Sequence, residues 1–447
     1  MRLSFASPAV PRLRAVPAEP RAFDAAPRAD DAYFALKTEM HHRLIERMAL
    51  AGLSQRPPEQ VRDEVADLVA GFLKEDGRPL NEDESRRLVD DLMHELLGFG
   101  PLEPLLQDPD VSDILVNTHR EVYVERFGRI ELTQVRFADE QHLMRVIERI
   151  VDKVGRRIDE SQPMVDARLP DGSRVNAVVP PVAVDGALLS IRRFSRQPFD
   201  LDRLVAAGAM DIAGATLLRG LVACRLNILI SGGTGTGKTT LLNAMSQAIG
   251  SGERIVTIED AAELQLQQRH VVRMETRPAN IEGRGEIAQR ELVRNALRMR
   301  PDRIIVGEVR AGEAFDMLQA MNTGHDGSMT TIHANTPRDA LSRLEQMISM
   351  SGLDLAPRAM RSQIASAIHV VIQLRRFADG SRRLVSIQEV QGMEGDVVTL
   401  QEVYRFEQTE LEDRVRTRGR FVWTGLRPRF YDVFRAQGAP WPEGAAA

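Results

Sequence analysis

The chain has 447 residues, with 59 Lys and Arg against 64 Asp and Glu, a formal charge of −5 and a single cysteine. This acidic balance argues against a protein held to nucleic acid by bulk positive charge, because that mode needs a basic surface to displace phosphate counterions. One cysteine excludes an intramolecular disulfide and a cysteine-based zinc site. No run approaches the about 18–20 apolar residues that cross a bilayer, so we expect a soluble protein that reaches membranes only through partners.

Two different patterns occupy the N-terminal part of the chain. Residues 1–32 are rich in Pro, Ala and Arg without an apolar period, which predicts a disordered tail. Residues 33–107 carry apolar side chains at helical spacing in three segments, which predicts a small helical bundle. Asn81, followed three residues later by Glu84, is typical of a capping box at the start of the third helix.

Residues 108–200 predict a mixed α/β domain, because short alternating strand patterns surround one helical segment. Arginine is unusually frequent in the predicted strands of this domain. The four residues concerned are Arg168, Arg174, Arg192 and Arg193. Two interpretations stay open: these side chains lie on solvated strand faces, or they direct positive charge at a ligand phosphate.

Residues 201–447 form the last predicted unit. Helix and strand alternate from 201 to about 374, which predicts a parallel sheet wrapped by helices, and a strand-rich appendix follows over 382–434. The predicted strands at 227–230, 254–258, 271–274 and 303–306 are short and nearly continuously apolar. That pattern is typical of strands buried on both faces. We expect the strand at 254–258 to lie beside the strand at 227–230.

A phosphate-binding loop follows the strand at 227–230. The segment Gly232-Gly-Thr-Gly-Thr-Gly237-Lys238-Thr239 fits the pattern G-x-x-x-x-G-K-S/T and precedes a helical segment. Glycines permit the tight turn, and consecutive backbone N–H groups then converge on phosphate oxygens at the positive end of the helix dipole. The predicted nucleotide-binding residues are Gly232, Gly233, Thr234, Gly235, Thr236, Gly237, Lys238, Thr239 and Thr240.

Acidic residues follow two other predicted strands, where ligand-facing groups of a parallel sheet gather. Glu259 is a candidate for polarising the attacking water, and its neighbour Glu263 has a weaker case. Glu308 ends an apolar strand in the manner of a Walker B motif, so it and the Thr239 hydroxyl are candidates to hold Mg²⁺. Glu259 and Glu308 compete for the role of general base, and sequence order does not separate them.

Two histidines flank a further predicted strand. His333 could read the γ-phosphate at the end of that strand, whereas His325 could position the preceding turn. Each could equally be a structural residue. A metal site is disfavoured here because no other His or Cys stands at ligand spacing, and Cys224 is most simply a buried apolar residue.

Together these motifs resemble those of the type II/type IV secretion ATPase superfamily. Thr257-Ile-Glu-Asp260, Val306-Gly-Glu-Val-Arg310 and Thr331-Ile-His-Ala-Asn335 follow the nucleotide loop in the order of its Asp box, Walker B motif and His box. Longer segments at 98–106, 155–161, 166–176 and 300–303 resemble the CpaF (TadA) branch, which assembles Flp pili. The resemblance runs from about residue 36 to 430, although Arg310-Ala-Gly312 stands where that branch usually has Arg-Gly-Gly.

The resemblance implies a RecA-like P-loop domain preceded by a PAS-like mixed α/β domain, with ATP and Mg²⁺ bound between them. It also implies a homohexamer docked on platform proteins at the cytoplasmic face of the inner membrane. The acidic balance leads us to expect no direct contact to nucleic acid. Related motors place arginines of the N-domain against the nucleotide, which favours such a role for Arg168, Arg174 and Arg193. Arg298 and Arg300 are further candidates for a contact from a neighbouring subunit.

Three hypotheses therefore follow from the sequence. The first is a Mg²⁺-dependent ATPase motor that drives pilus assembly or protein secretion. The second is a DNA-handling motor with a RecA-like domain, against which the acidic balance and the lack of a groove of stacking aromatics count. The third is a nucleotide-gated regulatory protein with little turnover.

Overall fold

The computed structural model describes residues 29–48, 56–126, 128–193, 199–277, 279, 284–412 and 416–442. The predicted mixed α/β composition is confirmed. The helices are α1 Ala29–Arg47, α2 Pro58–Glu75, α3 Glu82–Leu97, α4 Glu103–Gln107, α5 Glu140–Asp152, α6 Leu201–Ala206, α7 Ile212–Ala223, α8 Lys238–Ser246, α9 Gln289–Ala296, α10 Glu313–Asn322, α11 Pro337–Ser349, α12 Pro357–Ala367 and α13 Phe430–Gln437. Residues 1–28 of the predicted tail lie outside the described residues. Helix α1 begins at Ala29, within the last four residues of that predicted tail.

The strands form two separate sheets. They are β1 Val111–Thr118, β2 Glu121–Arg126, β3 Arg129–Leu132, β4 Met164–Arg168, β5 Arg174–Val178, β6 Leu188–Arg192, β7 Ile228–Gly232, β8 Ile255–Glu259, β9 Val271–Glu275, β10 Arg303–Val306, β11 Met329–Ile332, β12 Val370–Arg376, β13 Arg382–Glu394, β14 Val397–Glu412 and β15 Arg416–Trp423. No helix in the described part of the chain is long and apolar enough to cross a membrane.

Helices α1, α2 and α3 pack around an apolar core of their own. Met40, Val65 and Leu92 are among its fully buried side chains. The capping box predicted for α3 is present: the Asn81 side chain accepts from the Glu84 N–H at 2.8 Å, and the Glu84 carboxylate accepts from the Asn81 N–H at 3.0 Å. These two bonds satisfy backbone donors that the first turn of a helix otherwise leaves free.

The first sheet is antiparallel, in the order β3-β2-β1-β6-β5-β4. Helix α5 covers one face with a stripe that includes Leu143 and Ile147, both fully buried. Phe99, Leu102 and Leu105 belong to this same core. The segment after α3, which the sequence analysis assigns to the bundle, therefore packs against the sheet, where burial of its apolar side chains stabilises it.

The second sheet has the order β15-β14-β13-β12-β7-β11-β10-β8-β9. Six neighbouring strands are parallel to one another: β12, β7, β11, β10, β8 and β9. Strands β13, β14 and β15 extend the sheet beyond β12 with antiparallel pairing. Two details of our sequence prediction are wrong. Strand β8 is not beside β7, because the later strands β10 and β11 enter between them, and β9 is half-exposed because it forms the edge of the sheet.

A buried ionic cluster joins the helical bundle to the first sheet. Glu95 of α3 forms an ion pair with Lys37 of α1 at 2.9 Å and contacts His142 of α5 at 2.9 Å. Burial favours a raised pKa for this carboxyl, but the hydrogen bond with His142 and the charge of Lys37 outweigh it and hold the pKa at about 2. Arg149 also donates to the Glu95 carbonyl at 2.6 Å. Glu95 thus fixes three helices to one another.

We expect Glu95→Gln to lower the free energy of unfolding at pH 7 by about 3 kcal/mol, because Lys37 loses its buried counter-charge. A carboxyl with a lowered pKa stabilises the folded chain above its ordinary value of 4.5, and this contribution disappears as the pH falls toward about 2. Urea unfolding followed by circular dichroism should therefore show a smaller difference between variant and wild type at pH 3. Glu39→Gln, in the exposed pair with Arg78, is the control and should cost under about 1 kcal/mol. An equal loss in both variants would contradict this reasoning.

Candidate nucleotide site

The phosphate-binding loop joins β7 to α8 in the conformation that its glycines permit. All five residues of β7 are buried, and α8 begins at Lys238. Gly235 and Gly237 have φ values of +68° and +94°, which residues with a Cβ atom rarely adopt. A Cβ on Gly232 would lie 2.5 Å from the Thr236 hydroxyl oxygen. The tight turn therefore requires these glycines, and it leads into the N-terminus of a nine-residue helix.

Lys238 folds back on the loop that carries it. Its ammonium donates to the carbonyls of Gly232 at 3.1 Å and Gly233 at 3.0 Å. Burial lowers the pKa of Lys238, and the charge of Glu308 opposes that effect. The Thr236 hydroxyl also donates to the Gly233 carbonyl, at 2.9 Å. An entering phosphate would offer the ammonium an anionic partner in place of two neutral carbonyls.

The other predicted nucleotide-binding residues lie in the same loop and in the first turn of the helix that follows it. Thr239 and Thr240 lie half-buried in the first turn of α8, whereas Thr234 is exposed at the tip of the loop. The carboxyl ends of the parallel strands bring the acidic and histidine candidates to this edge of the sheet: Glu259 ends β8, Glu308 follows β10 and His333 follows β11.

Glu259 is a buried carboxyl with one uncommitted oxygen. It is 4% exposed. Its Oε2 accepts from the N–H groups of Glu263 at 2.7 Å and Leu264 at 2.9 Å, while its Oε1 has no hydrogen-bond partner among the described residues. Burial raises the pKa of Glu259 to about 7, although the two backbone hydrogen bonds oppose the shift. A carboxyl with a pKa near the working pH is suited to accept a proton from water.

Glu308 has a different environment, because two cations face it. Its Oε1 lies 4.0 Å from the Lys238 ammonium, and its Oε2 accepts from Arg310 Nε at 2.9 Å and Nη2 at 2.6 Å. Arg310 also contacts Asp260 at 2.9 Å. Neither Asp260 nor Arg310 was among our predicted site residues. Their signal was their position one and two residues, respectively, after the strand-end acids Glu259 and Glu308.

The acids present fit a Mg²⁺ ion shared with a nucleotide better than a self-contained metal site. Within the described ranges, no group of three or more His, Cys, Asp and Glu could hold a metal ion. Mg²⁺ is commonly held by one or two carboxylates together with substrate phosphates and waters. Glu308, with the Thr239 hydroxyl, offers donors of that kind beside the phosphate-binding loop.

The two histidines occupy different surroundings. His333 lines a cavity of about 340 Å³ together with Asp339, Arg343 and Gln346. His325 instead contacts the Ala320 carbonyl through its N–H at 3.3 Å and its ring at 3.2 Å, at the end of α10. This contact fits a residue that positions a turn. The remaining candidate, Cys224, is buried, and burial raises the pKa of its thiol.

Three arginines of the first sheet form a row that faces the second sheet. Arg168, Arg174 and Arg192 are direct cross-strand neighbours on β4, β5 and β6. Arg168 pairs with Glu275 at 2.6 Å and donates to the Ala262 carbonyl. Arg174 pairs with Glu263 at 2.9 Å, and the charge of Arg192 contributes to the lowered pKa of Lys238. The row thus borders the acidic loop that follows β8 and the phosphate-binding loop.

Arg193 is not part of this row. Its guanidinium donates to the carbonyls of Asp108 and, at 2.8 Å, of Val111, near the start of β1. Side chains alternate along a strand, so only one residue of an adjacent pair faces the cleft. The sequence showed both arginines but not which of them faces the cleft, and we favoured Arg193 over Arg192. Arg298 and Arg300 are both exposed.

Comparisons with known proteins match most of the chain. The profile of the family described as "Type II/IV secretion system protein" matches residues 95–419. The chain belongs to this family. A putative conjugal transfer protein of Mycobacterium tuberculosis is 46% identical over 312 residues, which are 68% of this chain and 88% of the relative. The type IV secretion system protein VirB11 of Bartonella quintana is 31% identical over 323 residues, covering 63% of this chain and 89% of the relative.

Membership of the type II/IV secretion family and the intact phosphate-binding loop make the chain an ATPase. Among solved structures, the VirB11 ATPase of Brucella suis in complex with sulphate is 29% identical and covers 65% of this chain and 95% of its own. Its TM-score is 0.36.

We expect Arg192→Gln to weaken binding of a slowly hydrolysed ATP analogue about tenfold, because a charge-assisted contact to phosphate is lost. Fluorescence titration of the full chain with a labelled analogue measures the change. Arg193→Gln removes the same charge from the adjacent position and should leave affinity within about twofold, since the Asp108 and Val111 carbonyls to which it donates lie near the start of β1. Weaker binding by Arg193→Gln than by Arg192→Gln would restore our sequence-based assignment.

Proposed function

We propose that the chain is a Mg²⁺-dependent ATPase motor with a RecA-like catalytic domain. The observation that carries this proposal is the convergence of three kinds of group on one cleft. The phosphate-binding loop and the acids of the second sheet form one side, and the arginine row of the first sheet forms the other. ATP hydrolysis needs these components: a phosphate cradle, a base or water-positioning acid, and cations for the developing charge.

In this mechanism Lys238 leaves the carbonyls of Gly232 and Gly233 and pairs with the phosphates. Thr239 and Glu308 would hold Mg²⁺, which would neutralise phosphate charge when bound. Glu259 orients the attacking water through its uncommitted Oε1 and accepts its proton. Their surroundings support this division of roles between the two acids. Glu259 is buried and has a raised pKa, whereas Glu308 faces the cations Lys238 and Arg310.

The arginine row couples hydrolysis to the relative position of the two sheets. Arg168 and Arg174 pair with Glu275 and Glu263, so these contacts already join the sheets across the cleft. Triphosphate would concentrate negative charge beside the row and draw the guanidiniums toward it. Loss of the γ-phosphate would weaken that attraction and let the cleft reopen, which converts chemistry into domain movement.

We expect Glu259→Gln to lower kcat at least about 100-fold while analogue affinity stays within about threefold, because the amide keeps the shape of the side chain but cannot accept the proton. Phosphate release and analogue titration measure the two quantities. Lys238→Ala is the companion variant and should abolish binding itself. Rapid phosphate release by Glu259→Gln would transfer the role of base to Glu308.

The proposed process is pilus assembly or protein secretion, driven by a homohexamer at the cytoplasmic face of the inner membrane. The resemblance of residues 98–106, 155–161, 166–176 and 300–303 to the CpaF branch supports this process and a docking role for membrane platform proteins. A second candidate is DNA handling, because the M. tuberculosis relative is named a putative conjugal transfer protein. The net acidic charge of the chain counts against direct DNA binding.

The two processes predict different activators. We expect ATP turnover to rise several-fold with vesicles carrying the platform proteins, and to stay unchanged with single-stranded or duplex DNA at about 50 mM salt, where nonspecific binding is strong. Vesicles without platform proteins are the control. Particle images with the ATP analogue should show six subunits in a ring. Strong stimulation by DNA and none by the platform would favour the second candidate.

A further inference from the structure

The turn between β12 and β13 lies between the phosphate-binding loop and the first sheet. Its two flanking arginines, Arg376 and Arg382, end β12 and begin β13. Arg376 donates to the carbonyl of Gly128, which precedes β3, and Arg382 pairs with Glu125 of β2 at 3.1 Å. Contacts from one short turn thus reach the other sheet, more than 240 positions away in the chain.

This turn is internally fixed. The Asp379 carboxylate accepts from the Ser381 N–H at 3.0 Å, from the Ser381 hydroxyl at 2.6 Å and from the Thr417 N–H at 2.7 Å. Burial alone favours a raised pKa for Asp379, but these hydrogen bonds outweigh it and hold the pKa at about 2. Phe377 and Ser381 also share a backbone hydrogen bond of 2.8 Å. The turn therefore presents its two arginines from a preorganised support.

Both arginines lie against the glycines of the phosphate-binding loop. Arg376 Nη1 is 3.3 Å from the position that a Cβ on Gly235 would take, and Arg382 Cδ is 3.9 Å from the corresponding position at Gly237. A cavity of about 440 Å³ adjoins this contact and is lined by Arg376, Phe377 and Asp379 among others. Two cations thus stand beside the loop whose N–H groups receive phosphate.

Glu125 and the expected phosphate compete for the same guanidinium. The side chain of Arg382 is 42% exposed and that of Glu125 is 15% exposed, so their pair is partly screened by water. A polyphosphate carries more charge than one carboxylate and forms stronger charge-assisted hydrogen bonds with arginine. The stem of Arg382 already lies beside Gly237, so we expect its guanidinium to reach a phosphate in the loop by side-chain rotation.

We propose that Arg376 and Arg382 bind the polyphosphate of the nucleotide, and that Glu125 restrains Arg382 while the loop is empty. Filling the loop exchanges the Arg382–Glu125 pair for a phosphate contact and releases this part of the first sheet. The inference rests on the proposed function, in which ATP occupies this loop. It adds a second set of arginines, from the C-terminal part of the same chain, to the row on β4, β5 and β6.

The two halves of the ion pair should affect nucleotide binding in opposite directions. With Mg²⁺ and adenylyl imidodiphosphate, we expect Glu125→Gln to bind about threefold more tightly, because a competitor worth under about 1 kcal/mol is removed. Arg382→Gln should bind about tenfold more weakly, because a charged phosphate contact is lost. The double variant should match Arg382→Gln alone, since Glu125 acts only through Arg382.

Arg375→Gln is the matched control, because it removes the same charge from the adjacent position of β12, where the guanidinium lies over the Phe377 ring. Its affinity should stay within about twofold of wild type. A pair with only a structural role would shift affinity in the same direction in both single variants, and this result would overturn the inference. Unchanged or weaker binding by Glu125→Gln overturns it even if Arg382→Gln does not fold.

Failure of the proposed function has a separate signature. In that case the wild-type chain binds no analogue, or Lys238→Ala binds it as well as wild type. Suppose instead that wild type binds the analogue, that Lys238→Ala does not, and that the Glu125 and Arg382 variants change affinity in the same direction. This result would overturn only the role of the β12–β13 turn.

Discussion

The arrangement of the two sheets depends on charge complementarity across the cleft between them. Hydrogen-bonding register aligns five charged residues across five strands of the first sheet, acidic at one end and basic at the other: Glu125, Asp113, Arg192, Arg174 and Arg168. Like charges on neighbouring strands repel, so the basic end is stable only with acids nearby. Glu263 and Glu275 supply them from the second sheet, while Arg382 faces the acidic end.

This complementarity makes the cleft responsive to an anion. Each of these ion pairs is partly exposed and therefore weak on its own. A polyphosphate placed between the sheets would be attracted to Lys238, to Arg192 and to the arginines of the β12–β13 turn, and it would repel the acids that balance them. In the proposed mechanism, closure and opening follow from the exchange of many weak contacts, so that one nucleotide shifts the balance without unfolding either sheet.

Local chemistry explains which parts of this site could be predicted from the sequence. The phosphate-binding loop was predictable because its glycines, its lysine and the flanking strand and helix are contiguous. The acids at strand ends were predictable because parallel strands place their carboxyl ends together. Strand order was not, since β10 and β11, which come later in the chain, lie between β7 and β8. The choice between Arg192 and Arg193 depends on cross-strand register, which no local pattern of the sequence specifies.

The two carboxylates that compete for the catalytic role in the sequence are separated by their surroundings. Glu259 is enclosed by the chain, and Gly307 packs so closely that a Cβ there would lie 2.9 Å from its Cγ. That enclosure reduces the hydration of the carboxyl and raises its pKa, and it leaves Oε1 without a hydrogen-bond partner among the described residues. Glu308 instead stands between Lys238 and Arg310, so its negative charge is matched by cations that a metal ion could replace. In the proposed mechanism, burial therefore suits Glu259 to proton transfer, whereas the more accessible carboxylate of Glu308 suits it to hold a cation once Lys238 has turned to the phosphates.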